Sequence, residues 1–425
     1  MRFHERFHMR PPGAHVASPG RTGHTRSPTV TRRLSLPSLA LVALACGSCQ
    51  AIANAQDPDT AAMPPNVGVV VVESDFQSAA IEAIDTDTHA LVTNTGLFVD
   101  SDPELRRVLD PAGAEHLYIL GRSGGTLTEI DRAGHVQRTM SVVDPGAAAS
   151  SADPYDVAYA PDGTLWITRY NQPTLLVLGT DGSQLGTVDL SALADPDGRP
   201  EMAAITIVDG MAYVALDRLA PGVNGNPPAP TDYSSIAAID TRTKPWKAVE
   251  SQRLPAFTPR ERFRHAIYGP PNEFFISCLG APMSTPPIPG ALVKIDVTGH
   301  VAPRVVLDGS QLMLNGKATR GFVNGYDVLD DERGWAVIAS IDDPNNTTSV
   351  VEFNPTTGDI VTNVWYSRSK FYLWDLALAD DRLLVVDRDP VDPTLVVLDA
   401  SDGSVITPNI PSRLPAVEMV ILRSQ

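Results

Sequence analysis

Apolar residues occur along this chain in short runs that are separated by turn-forming residues. Residues 154–190, PYDVAYAPDGTLWITRYNQPTLLVLGTDGSQLGTVDL, show the pattern in full. Four mainly apolar runs are separated by connections that include PDG at 161–163 and TDG at 180–182, and turns of this composition join neighbouring antiparallel strands. The segment therefore predicts a four-stranded antiparallel unit.

The same pattern recurs along the chain. Second strands begin at residues 116, 164, 211, 273, 335 and 382, as HLYILGR, TLWITRY, MAYVALD, EFFISCL, WAVIASI and RLLVVDR, and an earlier copy, GVVVVES, begins at 68. The third strands end 45 to 61 residues apart, at Asp85, Asp131, Gly179, Asp240, Asp296, Asn354 and Asp399. These repeats predict an all-β protein, a seven-bladed β-propeller with four-stranded blades.

The two ends of the repeat array complement each other. The copy at residue 68 has no first strand before it, whereas residues 414–422, LPAVEMVIL, match the first strand PEMAAITIV at 200–208. We expect the C-terminal strand to complete the N-terminal blade and close the ring. Closure would remove two sheet edges that otherwise expose unpaired backbone groups.

The repeat motif also resembles a known group of proteins. PYDVAYAPDGTLWITRYNQPTLLVLGTDG is similar to the repeats of YVTN, NHL and gluconolactonase-like β-propellers. The resemblance covers essentially all of residues 67–425 and implies the same fold. It leaves the function open, because such propellers include binding scaffolds, lactonases and lyases.

The first 55 residues differ from the rest of the chain. They hold seven Arg, one acidic residue and the apolar run LSLPSLALVALA at 34–45, which is the layout of a secretory signal. Two processing alternatives remain: lipidation of Cys46, which follows Ala-Leu-Ala at 43–45, or cleavage after Ala55. We expect a signal peptide and disordered segment over 1–55, a linker over 56–66 and the propeller over 67–425. The protein would be periplasmic, attached to the outer membrane as a lipoprotein, or secreted.

Charge narrows the range of partners. Seven of the 33 basic residues and one of the 50 acidic residues lie in 1–55, so residues 56–425 keep 26 basic and 49 acidic residues, a net charge of −23. This balance argues against nucleic acid as a partner, because its binding requires basic surface. We expect a monomer whose partner is a protein or a small-molecule ligand, with membrane contact only through a lipid anchor.

Three further motifs predict structure rather than chemistry. Cys278 lies in the apolar run FFISCLG and is the one cysteine outside residues 1–55, so it predicts a buried core thiol. Gly-Arg-Ser-Gly-Gly at 121–125 places Ser123 in a turn between strands, unlike a nucleophile elbow. Asp-Pro-Asp-Gly at 195–198 lacks the spacing of an EF-hand and predicts a turn.

Loop length distinguishes the two faces of the predicted propeller. The second-to-third and fourth-to-first connections share one face, and the long connections belong to it: residues 219–233, 252–264, 281–289 and 308–325. We name it the loop face and expect any site to lie there. Aromatic and basic residues in its connections are either a recognition surface or ordinary loop packing: Phe257, Arg260, Arg262, Phe263, Arg264, Arg320, Phe322, Lys370, Phe371, Tyr372 and Trp374.

The first strands begin at the loop face and surround the central channel. Aligning them on the turn that follows places seven residues at equivalent positions: Arg106, Asp156, Ala203, His265, Asp327, Asp375 and Glu418. Asp156, Asp327, Asp375 and Glu418 would supply oxygen ligands to one divalent cation, Ca²⁺ or similar. Alternatively, the ring would place a base near His265 for hydrolysis. The alternative is that these polar side chains hydrogen-bond to backbone groups of neighbouring blades.

Two hypotheses for the function follow. The gluconolactonase-like resemblance implies a divalent ion at this location, but the Glu and Asn ligands of that family have no residue-by-residue match here. Arg106 also adds a positive charge to the ring. The favoured hypothesis is a noncatalytic binding or scaffold propeller of the cell envelope that uses the loop face. The alternative is a metal-dependent hydrolase or lactonase with an acidic site at the channel mouth.

Overall fold

The computed structural model of the chain describes residues 67–85, 91–98, 100, 102–132, 134–220, 229–260, 262–297, 301–361 and 363–422. The predictions for residues 1–55, for the linker at 56–66 and for lipidation of Cys46 lie outside these ranges. Within them, no helix has the length and apolar character needed to cross a bilayer.

Almost all regular structure in the described residues is antiparallel strand. The strands of the first half are β1 (Val67–Ser74), β2 (Ala79–Asp85), β3 (Leu91–Phe98), β4 (Pro103–Leu109), β5 (Glu115–Gly121), β6 (Thr126–Ile130), β7 (Val136–Ser141), β8 (Pro154–Tyr159), β9 (Leu165–Arg169), β10 (Thr174–Leu178), β11 (Gln184–Asp189), β12 (Met202–Val208), β13 (Met211–Leu216), β14 (Leu219–Ala220) and β15 (Ala229–Pro230). Those of the second half are β16 (Ser235–Asp240), β17 (Ala248–Arg253), β18 (Glu273–Cys278), β19 (Ala291–Asp296), β20 (Arg304–Asp308), β21 (Leu312–Leu314), β22 (Lys317–Thr319), β23 (Gly321–Val328), β24 (Gly334–Ser340), β25 (Thr348–Phe353), β26 (Tyr366–Arg368), β27 (Leu373–Ala379), β28 (Arg382–Asp387), β29 (Thr394–Asp399), β30 (Val405–Pro411) and β31 (Ala416–Ile421). Short 3-10 turns cover Ala149–Ser151 and Ser191–Leu193.

Apart from two two-stranded hairpins, the strands of the described residues form seven sheets, which we number as blades I to VII in chain order. Blade I has the strand order β3-β2-β1-β31, blade II contains β4 to β7, and blade III contains β8 to β11. Blade IV is β12-β13-β16-β17, blade V contains β18 to β20, blade VI β23 to β26 and blade VII β27 to β30. First strands of neighbouring blades contact each other, as β4 does with β8 and β31. The predicted all-β, seven-bladed propeller is confirmed.

The C-terminal strand closes the ring, as the sequence predicts. β31 pairs antiparallel with β1, with Val69 opposite Ile421 and Val71 opposite Met419. The hydrogen bond from the Leu422 N–H to the Gly68 carbonyl, at 2.7 Å, continues the pairing. Both ends of the domain therefore belong to one blade, and the edge of β1 is covered.

Apolar side chains between the blades hold the ring together. Among the described residues, one cluster lies between each pair of neighbouring blades. At the closure, Val71 and Met419 of blade I pack with Val386 and Val397 of blade VII, all of them 1% exposed or less. Each fully buried side chain of this size contributes about 1.5–3 kcal/mol, so the closing interface is as well packed as the others.

Blade V departs from the predicted regularity. Its innermost position is occupied by residues 259–264, which pair with β18 only at Pro259 opposite Cys278 and at Arg264 opposite Phe275 in the described chain. Pro259 has no N–H to donate to the ladder, which favours an irregular edge segment over a strand. The arginines of this segment point into the site described below.

The long connections of the loop face carry small hairpins of their own. β14 pairs with β15 inside the connection 217–234, and β21 pairs with β22 between blades V and VI. Residues 221–228, between β14 and β15 in the sequence, lie outside the described residues. Cys278 is fully buried in β18, as expected for a core thiol.

Candidate functional site at the channel mouth

The six candidate residues of the channel lie on or beside first strands, but at different depths. Asp156 and Asp375 lie in bulges near the loop-face ends of β8 and β27. Glu418 pairs with Val72 near the same end of blade I. Asp327 instead pairs with Trp335 at the beginning of β24, next to the turn on the opposite face.

The pairing register explains this difference in depth. Trp166 pairs with Ala158 and Trp335 pairs with Asp327, so Asp327 occupies the level of Ala158, two residues along the strand from that of Asp156. A shift of two residues keeps the side chain on the same face of the strand but moves it along the channel. Asp327 therefore lies on the same face of its strand as Asp156, as the sequence alignment predicts, but at a different level along the channel.

Arg106 connects three blades through the centre of the ring. Its Nε donates to Asp156 Oδ1 at 2.8 Å, and its Nη1 donates to Glu418. Its Nη2 donates to the carbonyl of Tyr155 at 2.8 Å. Only 3% of Arg106 is exposed, so the positive charge that the sequence places in this ring is fully used in buried ion pairs.

Two arginines from the irregular segment of blade V extend the network. Arg262 Nη2 donates to Asp375 Oδ2 at 2.9 Å, and Arg264 Nη2 donates to Asp375 Oδ1 at 2.6 Å. Arg262 Nη1 also lies 3.0 Å from Glu418 Oε1. Blades V and I are not neighbours in the ring, so this ion pair spans the central channel.

The same carboxylates accept backbone hydrogen bonds from the following blade. Asp156 Oδ2 accepts from the Ile205 N–H, and Asp327 Oδ2 accepts from the Leu378 N–H, both at 2.9 Å. Glu418 Oε2 accepts from the Leu105 N–H at 2.9 Å. These contacts correspond to the alternative to metal binding that the sequence leaves open, hydrogen bonds to backbone groups of neighbouring blades.

Burial dominates the electrostatics of the ring. Loss of hydration raises the pKa of Asp156 to about 7, although the positive charge of Arg106 acts in the opposite direction. Burial also raises the pKa of Glu418 and of Asp327, and nearby arginines oppose the shift in both. Each oxygen of the four candidate ligands already accepts a hydrogen bond or pairs with an arginine, so a cation would have to displace these partners.

His265 lies apart from the carboxylates. Its Nδ1 is 3.1 Å from the Glu273 carbonyl, and its Nε2 is 3.5 Å from Thr206 Oγ1. Surrounding protein atoms lower its pKa, which favours the neutral ring. No carboxylate among the described residues forms an ion pair with His265, so His265 is not paired with the carboxylates of the ring.

A second group of residues lies at the mouth of the channel, and the sequence analysis identified only part of it. The guanidinium carbons of Arg260 and Arg388 each lie 4.9 Å from the centroid of the Trp374 ring. Arg388 also lies 5.5 Å from the centroid of Phe76. We call Phe76, Arg260, Trp374 and Arg388 the mouth cluster.

Arg388 is the unusual member of the mouth cluster. It follows β28 on the loop face, where its N–H donates to the Tyr372 carbonyl at 2.7 Å. Burial and the neighbouring charge of Arg260 lower the pKa of Arg388 to about 10. Its side chain forms no ion pair with any residue that the structure describes. A partly desolvated guanidinium without a counter-ion is a suitable partner for an anion.

Several of the other aromatic and basic residues named from the sequence have structural partners. Arg262 and Arg264 pair with Asp375, and Phe263 packs edge-on against Phe274 with 4.6 Å between the ring centroids. Phe322 is 2% exposed, and Arg320 pairs with Asp342 at 2.7 Å. Arg260 and Trp374 are the residues of the predicted recognition surface that belong to the mouth cluster.

Comparison with known proteins supports the fold and leaves the function open. No family model matches the chain, and no curated protein matches it in sequence. Among solved structures, the Pseudomonas aeruginosa periplasmic gluconolactonase PpgL is 13% identical with a TM-score of 0.56, over 84% of this chain and 99% of its own. A functionally unknown protein from Desulfotomaculum acetoxidans is 14% identical with a TM-score of 0.52, over 84% and 100%. At these identities the similarity establishes a shared fold alone, and it agrees with the fold implied by the repeats.

Proposed function

We propose that this protein is a noncatalytic binding propeller whose mouth cluster holds an anionic group of a small-molecule ligand. The observation that carries the proposal is Arg388, a partly buried guanidinium that has no ion-pair partner in the described chain. Carboxylate and phosphate groups match the planar fork of a guanidinium. Trp374 would supply a flat surface for the uncharged part of the ligand.

The location of the cluster supports this proposal. All four members lie in loop-face connections or at the beginning of a first strand, and connections on a rigid scaffold commonly carry binding residues. Residues 56–425 carry a net charge of −23, so a surface with two adjacent arginines differs from the rest of the protein. This contrast favours the capture of an anion at one place.

The binding test uses simple anions as probes. We expect isothermal titration calorimetry to detect binding of citrate, D-gluconate or inorganic phosphate, and no binding of uncharged glucose. Arg388→Ala should weaken the binding by about tenfold or more, since a hydrogen bond to a charged group contributes about 1.5–3 kcal/mol. The control is Arg242→Ala, because Arg242 is exposed on the opposite face and pairs with Asp240. Equal affinity in Arg388→Ala and wild type would refute the assignment of the site.

A metal-dependent hydrolase or lactonase is the second candidate, favoured by the shared fold with a protein named as a gluconolactonase. The ion pairs of Asp156 and Asp375 weigh against it. Hydrolysis of D-glucono-δ-lactone in the presence of Ca²⁺, Mg²⁺, Mn²⁺ or Zn²⁺ distinguishes the two functions. Turnover above the buffer rate that is lost in Asp156→Asn and Asp375→Asn would replace the binding proposal by this one.

Export completes the proposal. The signal-like residues 1–55 and the periplasmic location of the structural neighbour PpgL both favour a protein of the cell envelope. Mass spectrometry of the exported protein tests this and separates the processing alternatives: a lipidated N-terminus at Cys46, or an unmodified one at Gln56. Retention of the intact residues 1–55 on a cytoplasmic protein would contradict export.

A further inference from the structure

The connection between β11 and β12 gathers three carboxyl groups that do not belong to the ring of candidate residues. One oxygen each from Asp195, Asp197 and Glu201 lies within 4.8 Å of the other two. Asp195 is 7% exposed and Glu201 is 5% exposed, whereas Asp197 faces solvent. We call these residues the acidic triad. The Asp-Pro-Asp-Gly segment forms the turn that the sequence predicts, and the fold then adds Glu201 to it.

One oxygen of the triad has no partner although it is buried. Asp195 Oδ1 accepts the Asp197 N–H at 3.0 Å, but Asp195 Oδ2 has no hydrogen-bond partner among the described residues. Glu201 Oε2 accepts the Leu219 N–H at 3.1 Å. An unsatisfied buried oxygen costs about 1–3 kcal/mol, and more when it is charged, so Asp195 Oδ2 indicates a partner that the chain itself does not supply.

Basic side chains do not neutralise the triad. The nearby guanidinium of Arg218 instead lies 3.6 Å from Asp232 and 3.9 Å from Glu250. No basic residue in the described ranges forms an ion pair with the three carboxyls. Burial raises the pKa of Glu201 to about 9, and burial together with the Asp197 side chain raises the pKa of Asp195 to about 6. The charge of Arg218 opposes the rise in the pKa of Asp195, but no ion pair within the described residues neutralises the triad.

We propose that the acidic triad binds a divalent cation and that Ca²⁺ fits it best. Ca²⁺ takes oxygen ligands at about 2.3–2.6 Å, so two ligands of one ion lie at most about 5 Å apart, which agrees with the spacing of the triad. Carboxylate ligands without His or Cys favour Ca²⁺ or Mg²⁺ over Zn²⁺. The exposed Asp197 provides the entry path, and water would complete the coordination.

This site is separate from the ring of carboxylates in the channel. It lies in the connection from blade III to blade IV. Glu201 links it to Leu219 at the beginning of β14. A bound cation would thus fasten the base of the β14–β15 hairpin on the loop face. It needs no residue of the mouth cluster, so the two proposals stand or fall independently.

The test uses the purified full chain, treated with EDTA and returned to chelator-free buffer. Addition of Ca²⁺ up to about 10 mM, a range that includes weak extracellular sites, should raise the thermal midpoint and give a calorimetric binding isotherm. Asp195→Asn and Glu201→Gln should each weaken Ca²⁺ binding by about tenfold or more, because each removes one charged ligand. In EDTA, neither variant should melt below the wild type, since each replaces a buried carboxyl whose pKa is raised by burial and by neighbouring acids.

The control is Asp189→Asn, which changes an exposed acid just before the same connection and should keep the Ca²⁺ response of the wild type. A wild-type chain whose midpoint and calorimetry respond to neither Ca²⁺ nor Mg²⁺ would overturn the proposal. So would a full response in both triad variants, because the cation would then bind elsewhere. If Asp195→Asn does not fold, the calorimetric titration of Glu201→Gln decides.

Discussion

Replacing Arg106 by Met removes the guanidinium that three blades share and keeps much of the length of the side chain. Arg106 is 3% exposed and donates to Asp156, to Glu418 and to the carbonyl of Tyr155. In the variant, two buried carboxyls lose their shared cation while their backbone donors stay in place. Removing one partner of a buried ion pair costs about 3–5 kcal/mol, and we expect a loss of that size in the free energy of unfolding at pH 8.

This loss should depend on pH. Burial already raises the pKa of Asp156 to about 7 and raises that of Glu418, and Arg106 opposes both shifts. Such a carboxyl has a higher pKa in the folded state than in the unfolded state. It therefore destabilises the fold as the pH rises above the unfolded-state pKa, and the loss is complete once the pH exceeds the folded-state pKa. Each unit by which the substitution raises these pKa values further adds about 1.4 kcal/mol to the loss of unfolding free energy at pH 8. At pH 5 the loss should therefore be smaller by about 1–3 kcal/mol. The other charged groups near the two carboxyls are Glu104, Arg262 and Asp375.

Urea unfolding followed by tryptophan fluorescence at pH 5 and pH 8 measures both quantities. Arg107→Met on the same strand is the matched control, because the Arg107 side chain is 25% exposed and its partner Glu115 keeps an ion pair with Arg132. We expect that control to cost about 1 kcal/mol or less at either pH. An Arg106→Met loss that is equal at both pH values would mean that packing rather than charge carries the contribution, and the reasoning would fail.

Three further predictions concern the mouth cluster and the ring. Arg388→Ala should raise the melting midpoint of the ligand-free protein by about 1–3 °C, because it removes a partly desolvated cation without a partner; a lower midpoint would indicate a structural role. Gly325→Ala should destabilise by about 1–3 kcal/mol in urea unfolding, since its Cβ would lie 2.6 Å from the Cα of Asp375; an unchanged midpoint would contradict the close approach of blades VI and VII. Deletion of residues 416–425 should expose the edge of β1 and cause self-association, which size-exclusion chromatography with light scattering would show; a monodisperse, cooperatively folded product would argue against ring closure as a requirement.

The sequence predicts the fold well because its signals are local. Apolar runs and Asp-Gly turns define each strand from its own residues, and the missing first strand before residue 68 identifies β31 as its replacement. Blade V shows the limit of this reasoning. Its inner segment has the spacing of a strand, but Pro259 and the long-range partners of Arg262 and Arg264 give it an irregular path.

The sites were harder to predict because their partners are distant in sequence. Asp156, Asp375 and Glu418 were found as polar residues of first strands, but the pattern does not show that Arg262 lies beside both Asp375 and Glu418. The sequence pattern does not single out Arg388, because its lack of an ion-pair partner among the described residues depends on the fold. The same holds for Glu201, which joins the acidic triad only once β12 is in place.

The arginines of the channel and Arg388 at its mouth differ in their ion-pair partners. Residues 56–425 contain 49 acidic side chains. Carboxylates are therefore plentiful enough to pair with the buried and half-buried arginines of this protein. Arg106, Arg262 and Arg264 use them to fasten blades to each other across the channel. Arg388 lies close enough to Asp102 and Glu104 to feel their charge, yet forms no ion pair with either in the described chain. An unpaired cation lowers stability, and the proposed ligand would supply the missing negative charge beside Trp374.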